Sequence, residues 1–549
     1  MTNQPLIECV PNFSEGRDLN IIRQIATAIE AVEGAKLLGV DPGKATNRTV
    51  ITFVGTPEAV VEAAFLAIQK AADLIDMRKQ RGEHPRMGAT DVCPLIPIAN
   101  ISMEETAAWA HQLAKRVGEE LGIPIYMYEN AATMRERSNL ATVRAGEYEA
   151  LPDKLQKPEW KPDYGPATFH AKAGATAIGA RDFLIAYNVN LNTTSVRRAN
   201  SVAFDVREQG RLKRKGSPER IPGKLRAVKA IGWYIEEYGI AQVSMNLTNI
   251  SITSIHQAFE ACRASATHRG MRVTGSELVG LIPLQAMLDA GKYYLRQQQR
   301  SAGVSEEELI KIAVKSLGLD EIQPFDPNEK IIEYKLRDPN DASLMHTTLK
   351  NFANETASES VMPGGGCTAA YTGALGAALG TMVANLSAHK RGWEDRWEFF
   401  SNWAEKGQCL KDELLQLVDE DAKAFNTIII AHRLPRATEE EKKARQQAIE
   451  EATKLAIETP FKTLELAWQA LELLKIMAQE GNPNSTSDAG VGALCARTAM
   501  RAALLNIQTN IVGLTDQAYA KSKLEHAEAL AAKATAMEKE ILQIVRSKM

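Results

Sequence analysis

The chain predicts a multidomain protein in which two ferredoxin-like α/β subdomains are followed by an all-α helical bundle. Three observations predict it. Over residues 6–128, short apolar and β-branched runs alternate with amphipathic helical periods in the order βαββαβ, the split βαβ of a ferredoxin-like layer. The same order returns after about residue 182. From about Thr347 strand signals vanish, and long segments rich in Ala, Leu, Glu and Lys run to the C-terminus. The boundaries fall at 1–181, 182–337 and 338–549, the last at the turn-forming cluster Asp338-Pro339-Asn340-Asp341. Several domains are expected of 549 residues, because single cores stop growing well before that length.

The first copy opens with a strand from Leu6 to Val10 and the turn Pro11-Asn12-Phe13-Ser14-Glu15-Gly16. A helix from about Leu19 to Val32, a strand from Lys36 to Val40 and the turn Asp41-Pro42-Gly43-Lys44 follow. Then come a strand from Thr49 to Val54, a helix from Pro57 to Ile75 and a strand from Val92 to Ile98. A further helix (Met103 to Leu121) and strand (Pro124 to Tyr128) close the subdomain.

Between the second helix and its strand lies Gln80-Arg81-Gly82-Glu83-His84-Pro85-Arg86-Met87-Gly88-Ala89-Thr90-Asp91. Proline at 85 disfavours the helical region for His84, so the imidazole is presented rather than folded back. A presented imidazole exchanges protons near neutral pH. The same loop is also compatible with a solvated connection whose histidine does no chemistry.

Residues 129–182 lose clear periodicity and fill with Gly, Pro, Trp and charge, which marks a functional loop or a linker. The second copy then reads as strand (Phe183 to Leu191), helix (Thr194 to Glu208), strands (Ala227 to Tyr234 and Ala241 to Leu247), helix (Ser254 to Ala266) and the apolar run Leu278 to Pro283. Two such halves would leave a groove lined by both sheets. A helix from Ser305 to Leu317 precedes the boundary.

In the C-terminal part, the segment Glu405 to His432 carries an apolar stripe at Leu410, Leu414, Val418, Phe425 and Ile429. Asp421 falls on that stripe, three residues after one member and four before the next, while Asp419 falls on its flank. Burial would keep a proton on Asp421 to higher pH and suit it to general-acid work; a structural hydrogen bond to a neighbouring helix fits the pattern as well. Met362-Pro363-Gly364-Gly365-Gly366-Cys367 opens a small-residue helix from Thr368 to Ala384, whose first amides can receive an anionic or carbonyl oxygen. It is not a Walker loop, and close packing through Ala374, Gly376 and Gly380 is the plainer reading. Gly481-Asn482-Pro483-Asn484-Ser485-Thr486-Ser487-Asp488 is a polar turn that caps the following helix.

A formal net charge of −3 gives no overall pull toward nucleic acid. The N-terminus has no signal-peptide pattern and no run of about 18 apolar residues occurs, so a soluble cytoplasmic protein is expected. Six scattered cysteines without a Cys-x-x-Cys pair argue against zinc, iron–sulfur or a disulfide framework, and no metal is expected.

These residues together resemble the formiminotransferase-cyclodeaminase family. In the first half the resemblance rests on Glu8-Cys9-Val10-Pro11-Asn12-Phe13-Ser14-Glu15-Gly16, Asn47-Arg48-Thr49-Val50, the His84 loop, Arg144-Ala145-Gly146-Glu147-Tyr148-Glu149, Gly174-Ala175-Thr176 with Gly179-Ala180-Arg181, and Gly275-Ser276-Glu277-Leu278-Val279-Gly280. In the second it rests on Met362-Pro363-Gly364-Gly365-Gly366, Leu417-Val418-Asp419-Glu420-Asp421 and Ala424-Phe425.

The resemblance implies a bifunctional folate enzyme of histidine degradation. His84 would be the acid–base residue of formimidoyl transfer and Asp421 the acid of deamination, with Asp419 close enough to compete. Tetrahydrofolate, in polyglutamylated form, would lie near Gly174, Ala175, Thr176, Gly179, Ala180, Arg181, Val206, Arg207 and Glu208. Arg48, Arg86 and Arg181 are candidates for the donor's carboxylates. Gly364, Gly365, Gly366, Cys367, Asp419 and Asp488 are candidates for the second pocket. The family has serine where this chain has Cys367, a much weaker donor. The basic loop Arg211-Leu212-Lys213-Arg214-Lys215-Gly216, continued by Arg220, Lys224 and Arg226, is either a guide for a polyglutamate tail or a solvated connection. A homo-oligomer built from dimers is implied. The alternatives are a transferase whose helical half is an oligomerisation scaffold, and a folate-binding or structural protein without activity.

Overall fold

The structure, a computed structural model, describes residues 5–43, 47–81, 86–214, 218–236, 238–336 and 343–549. His84, Lys215 and Gly216 of the basic loop, and the expected boundary at 338–341 lie outside the described residues. The chain divides into two units, Met1–Ala286 with Leu317–Leu336, and Met287–Ser316 with Arg337–Met549.

The first unit is mixed α/β. Its first sheet contains β1 (Leu6–Cys9), β2 (Asn12–Phe13), β3 (Ala35–Gly43), β4 (Arg48–Gly55), β5 (Thr90–Ala99), β6 (Ile125–Glu129) and β7 (Thr176–Ala180). β1 and β2 are one strand interrupted at Val10-Pro11, and both pair antiparallel with β4 on one side and β5 on the other. Across the sheet the order is β3, β4, β1/β2, β5, β7, β6, with β7 parallel to both neighbours. The aperiodic stretch 129–182 thus hides a strand. All five residues of β7 are buried, so it lacks the polar–apolar alternation by which a half-exposed strand is recognised.

The helices start where the sequence places caps. The Asp18 carboxylate accepts from the Asn20 and Ile21 amides at 2.9 and 3.4 Å and opens helix Leu19–Glu30, which buries Ile22, Ile25, Ala26 and Ile29. Thr56 caps Pro57–Leu74 with proline in its first turn, and Ser102 with Glu105 forms a capping box for Met103–Glu120.

The second sheet contains β8 (Ile185–Leu191), β11 (Val228–Ile235), β12 (Ile240–Leu247) and β13 (Val273–Val279), antiparallel throughout in the order β11, β12, β8, β13. Between β8 and β11, β9 (Arg211–Leu212) pairs with β10 (Arg220–Ile221) inside the basic loop. The last strand is displaced from the expected Leu278 to Pro283. Its inward residue Ser276 is polar yet only 1 % exposed, because it accepts from Tyr187 Oη at 2.8 Å and donates to the Leu317 carbonyl at 2.7 Å. A buried hydroxyl inside the strand concealed it from an apolar pattern.

The second unit is mostly helical. Its long helices are Gly365–Ala388, Trp397–Arg433, Glu439–Glu480, Thr486–Ile511 and Gln517–Lys548. The segment Met287–Ser316 joins this unit rather than the α/β one: the Ala302 amide donates to Ser401 Oγ at 3.0 Å, and Gly303 lies against Ala404. Among the described residues one helix, Gly365–Ala388, is long and apolar enough to cross a membrane, and 61 % of its apolar window is buried inside the protein. Small residues let it pack closely. A Cβ on Gly376 would stand 2.9 Å from the Gly492 carbonyl and 3.0 Å from the Ala496 amide.

The stripe on Trp397–Arg433 holds only in part. Leu410, Leu414 and Val418 are buried, but Phe425 is 38 % exposed and Ala424 takes the inward place. Steps of four residues turn about 40° past a full revolution, so a stripe spaced by four drifts off the buried face.

Candidate active sites

In the first unit, the loop that carries His84 resumes at Arg86. Its guanidinium, a candidate for a donor carboxylate, here meets Glu149 at 2.7 Å and Glu147 at 3.1 Å. The Met87 amide donates to Asp91 Oδ1 at 3.0 Å, and Ser14 Oγ donates to the Gly88 carbonyl at 2.7 Å. Gly88 and Gly174 bridge the loop to β7. At Gly174 φ is +71°, and a Cβ there would press into the Met87 carbonyl; one on Gly88 would press into that of Ala175. Only glycine allows both backbones to approach this way.

The residues expected around folate divide accordingly. Gly174 to Ala180 are buried and act as a seam: the Ala175 amide donates to the Met87 carbonyl at 3.0 Å, and Thr176 Oγ1 to that of Thr90 at 2.7 Å. Gly179 leaves the space that the Tyr128 ring fills. Arg181 is half-buried and donates to the Asp182 carbonyl at 2.9 Å. At the end of helix Val196–Val206, Val206 is a core residue. Arg207 donates to the Gly210 carbonyl at 2.9 Å, and Glu208 accepts from the Ala227 amide at 2.8 Å. Val206 and the buried seam therefore position backbone, whereas Arg181, Arg207 and Glu208 have polar atoms nearer solvent.

Arg48 sits in a cluster that sequence reasoning saw only in part. β5 carries an irregularity opposite Asn12 and Phe13, where Thr90 and Val92 are paired and Asp91 is the extra residue. Asp91, fully buried, receives Arg48 Nη1, and Arg144 Nη2 reaches the same oxygen at 2.7 Å. Asn12 Oδ1 accepts from Arg48 Nε at 2.9 Å. Burial holds the Arg48 pKa below its usual value, with Asp91 opposing that shift and Arg144 adding to it. Glu8, 3 % exposed, is pushed up to about 7 by burial, with Arg181 pulling the other way. Asp91, Arg144 and Glu8 all stand in motifs quoted above, but a strand irregularity leaves no periodic signal.

In the second unit, Asp421 reaches from the middle of Trp397–Arg433 to the first turn of Gly365–Ala388. Cys367 Sγ donates to its Oδ2 at 3.3 Å. Burial raises the Asp421 pKa, while the thiol and the Cys367 amide lower it. The thiol itself is pushed up to about 12, by burial first and then by Asp421. Gly366 has no side chain because the Asp421 carboxylate occupies that space. Asp419 does something else: it accepts from the Leu344 amide at 2.7 Å and from Ser343 Oγ, capping the turn Leu344–His346.

On the neighbouring face of the same first turn lies a cavity of about 500 Å³, large enough for a small ligand, lined by Gly364, Gly365, Thr368, Thr372, Thr498 and Ala502 among others. Asn506 stands 3.6 Å from where a Gly365 Cβ would be. Asp488 is not brought to this cavity. It lies in the first turn of Thr486–Ile511, ten residues before Thr498, or about 15 Å along the helix axis. Thr498 and Asn506 were not singled out from sequence, where they are ordinary polar positions on a small-residue helix. Among the described residues no group of three or more His, Cys, Asp or Glu could hold a metal.

Comparison with known proteins gives both units a family. The family described as "Formiminotransferase domain, N-terminal subdomain" matches residues 6–181, "Formiminotransferase domain" matches 186–337, and "Formiminotransferase-cyclodeaminase" matches 348–529. A Gallus gallus protein named formimidoyltransferase-cyclodeaminase is 45 % identical over 515 residues, covering 94 % of each chain. The chain belongs to the formiminotransferase-cyclodeaminase family. Shorter relatives each match one part of this family member. A Thermoplasma acidophilum glutamate formimidoyltransferase is 45 % identical over 311 residues, which is 56 % of this chain and 98 % of the relative. A Methylorubrum extorquens methenyltetrahydrofolate cyclohydrolase is 38 % identical over 202 residues, 37 % of this chain and 97 % of the relative.

Proposed function

We propose that this formiminotransferase-cyclodeaminase family member is a bifunctional folate enzyme. Its first unit transfers a formimidoyl group from N-formimidoyl-L-glutamate to N5 of tetrahydrofolate. Its second unit closes 5-formimidoyltetrahydrofolate to 5,10-methenyltetrahydrofolate with release of ammonia. The observation that carries this reading is that one chain holds both family spans, and that its helical span contains Asp421, a half-buried carboxyl whose affinity for its proton is raised by burial.

In transfer, N5 attacks the amidine carbon, a tetrahedral centre forms, and glutamate leaves as an amine. The proton lost from N5 and the proton gained by the leaving nitrogen can pass through one imidazole, and His84 is assigned that role. In cyclisation N10 attacks the formimidoyl carbon and the C–N bond to the departing nitrogen breaks. Asp421 delivers the proton that turns this nitrogen into ammonia, with the cavity beside Gly364 and Gly365 as the place for the folate. Arg181, Arg207 and Glu208 are assigned folate contacts in the first unit.

Each α/β half is read as a ferredoxin-like layer, supported by the common strand order of β3, β4, β1/β2, β5 and of β11, β12, β8, β13. The working form is assigned as a cytoplasmic homo-oligomer acting on polyglutamylated folate in histidine degradation. A second reading of the helical unit is favoured by its likeness to the cyclohydrolase: water would open the methenyl ring after it forms.

The test mixes purified protein with tetrahydrofolate and formimidoyl-L-glutamate and follows glutamate, ammonia and methenyl-folate absorbance together. Matched rise of all three supports two activities. Glutamate alone confines chemistry to the first unit and makes the second a scaffold. Ammonia with decaying methenyl absorbance supports the hydrolytic reading. Asp421→Ala should keep glutamate release and lose ammonia.

A further inference from the structure

Two consecutive glycines in the first turn of helix Gly365–Ala388 each face one polar side chain of another helix. At Gly366 it is the Asp421 carboxylate; at Gly365 it is the Asn506 carboxamide, with Oδ1 3.6 Å and Nδ2 3.8 Å from where a Cβ would be. Adjacent Cα atoms lie about 3.8 Å apart, so both groups flank one short stretch of backbone. Gly365 also lines the cavity of about 500 Å³, and among the described residues no ionisable side chain lines it. The Thr368 and Thr372 hydroxyls in its wall give their protons to the Gly364 and Thr368 carbonyls at 2.9 and 2.7 Å, which leaves them as acceptors. Asn506 differs. Its Nδ2 spends one hydrogen on the Ala502 carbonyl at 3.0 Å, which fixes the sense of the carboxamide, because an amide oxygen would be repelled there. The second Nδ2–H and Oδ1 have no partner among the described residues.

We propose that Asn506 determines folate specificity in the second unit by pairing with the lactam edge of the pterin, Oδ1 accepting from N3–H and the remaining Nδ2–H donating to O4. The proposal rests on the cyclodeaminase reading above and assigns which end of the folate the cavity takes. A cavity lined by uncharged side chains suits the neutral pterin and leaves the carboxylates of the glutamate tail in water. A lactam carries a donor beside an acceptor, the complement of a carboxamide. O4 and N5 stand on neighbouring positions of the fused rings, so a grip on the lactam at Gly365 holds the formimidoyl group on N5 toward Gly366 and Asp421. In a 4-amino pterin the pattern is inverted, with an acceptor at N3 and a donor at position 4. The Ala502 carbonyl keeps the carboxamide from turning over to suit it, and a site built for one hydrogen-bond pattern rejects its inverse.

The experiment supplies 5-formimidoyltetrahydrofolate directly to the full-length wild type, Asn506→Ala and Asn506→Ser, and measures initial rates of ammonia release with thermal unfolding alongside. Two inhibitors compete for the site: 5-formyltetrahydrofolate and its 4-amino-4-deoxy counterpart, which differ at the lactam edge. The wild type should be inhibited about tenfold or more better by the 4-oxo compound, the loss expected when a pair of hydrogen bonds is replaced by two mismatches. Asn506→Ala should raise the substrate KM by about tenfold or more and bring the two inhibitors within about twofold of each other. Serine, small and polar, should do the same, and gives the result if alanine lowers the melting temperature. A merely structural residue would lower stability while the preference between inhibitors stayed. Equal inhibition of the wild type by both compounds, or a preference that persists in a folded variant, would overturn the proposal while leaving ammonia release and the cyclodeaminase reading intact. Absence of ammonia release by the wild type would overturn that reading and the proposal with it.

Discussion

Cys367 Sγ donates to Asp421 Oδ2 across 3.3 Å, joining the first turn of helix Gly365–Ala388 to the middle of Trp397–Arg433. The thiol therefore acts on the carboxyl group, stabilising its charged form against burial. Replacing it with alanine should raise the Asp421 pKa further. As a proton donor Asp421 is active below its pKa and loses activity as pH rises through it, so the alkaline limb of ammonia release should move to higher pH in Cys367→Ala. Serine, a stronger donor, should move it to lower pH. pH–rate profiles of the three proteins decide this, and coincident limbs would show that the thiol does not control the carboxyl.

Gly366→Ala tests the same site by volume. The added methyl would meet the Asp421 carboxylate, which can swing aside on its own side chain without moving backbone. Unfolding stability should fall by only about 1 kcal/mol, whereas ammonia release should fall tenfold or more and glutamate release stay near the wild-type rate.

Gly174→Ala should behave in the opposite way. Here the clash is with the Met87 carbonyl, the backbone φ is +71°, and nothing flexible can yield. A loss of about 2 kcal/mol or more is expected in chemical denaturation, together with loss of glutamate release because the segment after His84 shifts.

Glu8→Gln should change the pH dependence of stability. Glu8 binds its proton up to about pH 7 in the folded chain, against an ordinary 4.5, because burial outweighs the pull of Arg181. Between those values the folded state holds more protons than the unfolded state, so Glu8 removes stability as pH rises. The difference in unfolding free energy between wild type and Glu8→Gln should grow toward the variant's favour by roughly 3 kcal/mol from pH 4.5 to 7. Denaturant melts at several pH values measure it, and parallel curves would contradict the raised value.

Much of this protein was legible in its sequence, and the reasons are local. Capping residues such as Asp18 and Ser102, and the spacing of Ile22, Ile25 and Ile29, are properties of neighbouring positions, so most helices and strands of both α/β halves could be placed before any contact was known. Asp421 was visible for the same reason, three residues beyond Val418 on one helical face. What the sequence could not determine is what long-range pairing decides. β7 is a strand because β5 and β6 take it between them, and Asp91 joins the arginines where β5 departs from regular pairing with β2. Arg86 and Arg144 are both arginines in charged segments, and nothing in their own surroundings separates them; only the fold gives one two carboxylates of its own and leaves the other half of a shared one. Asp419 and Asp421 differ by two residues, and the helix turns them to different neighbours, a capped turn and a glycine-lined helix start. Local physics sets the elements, while the distances between side chains remote in sequence exist only once those elements have packed.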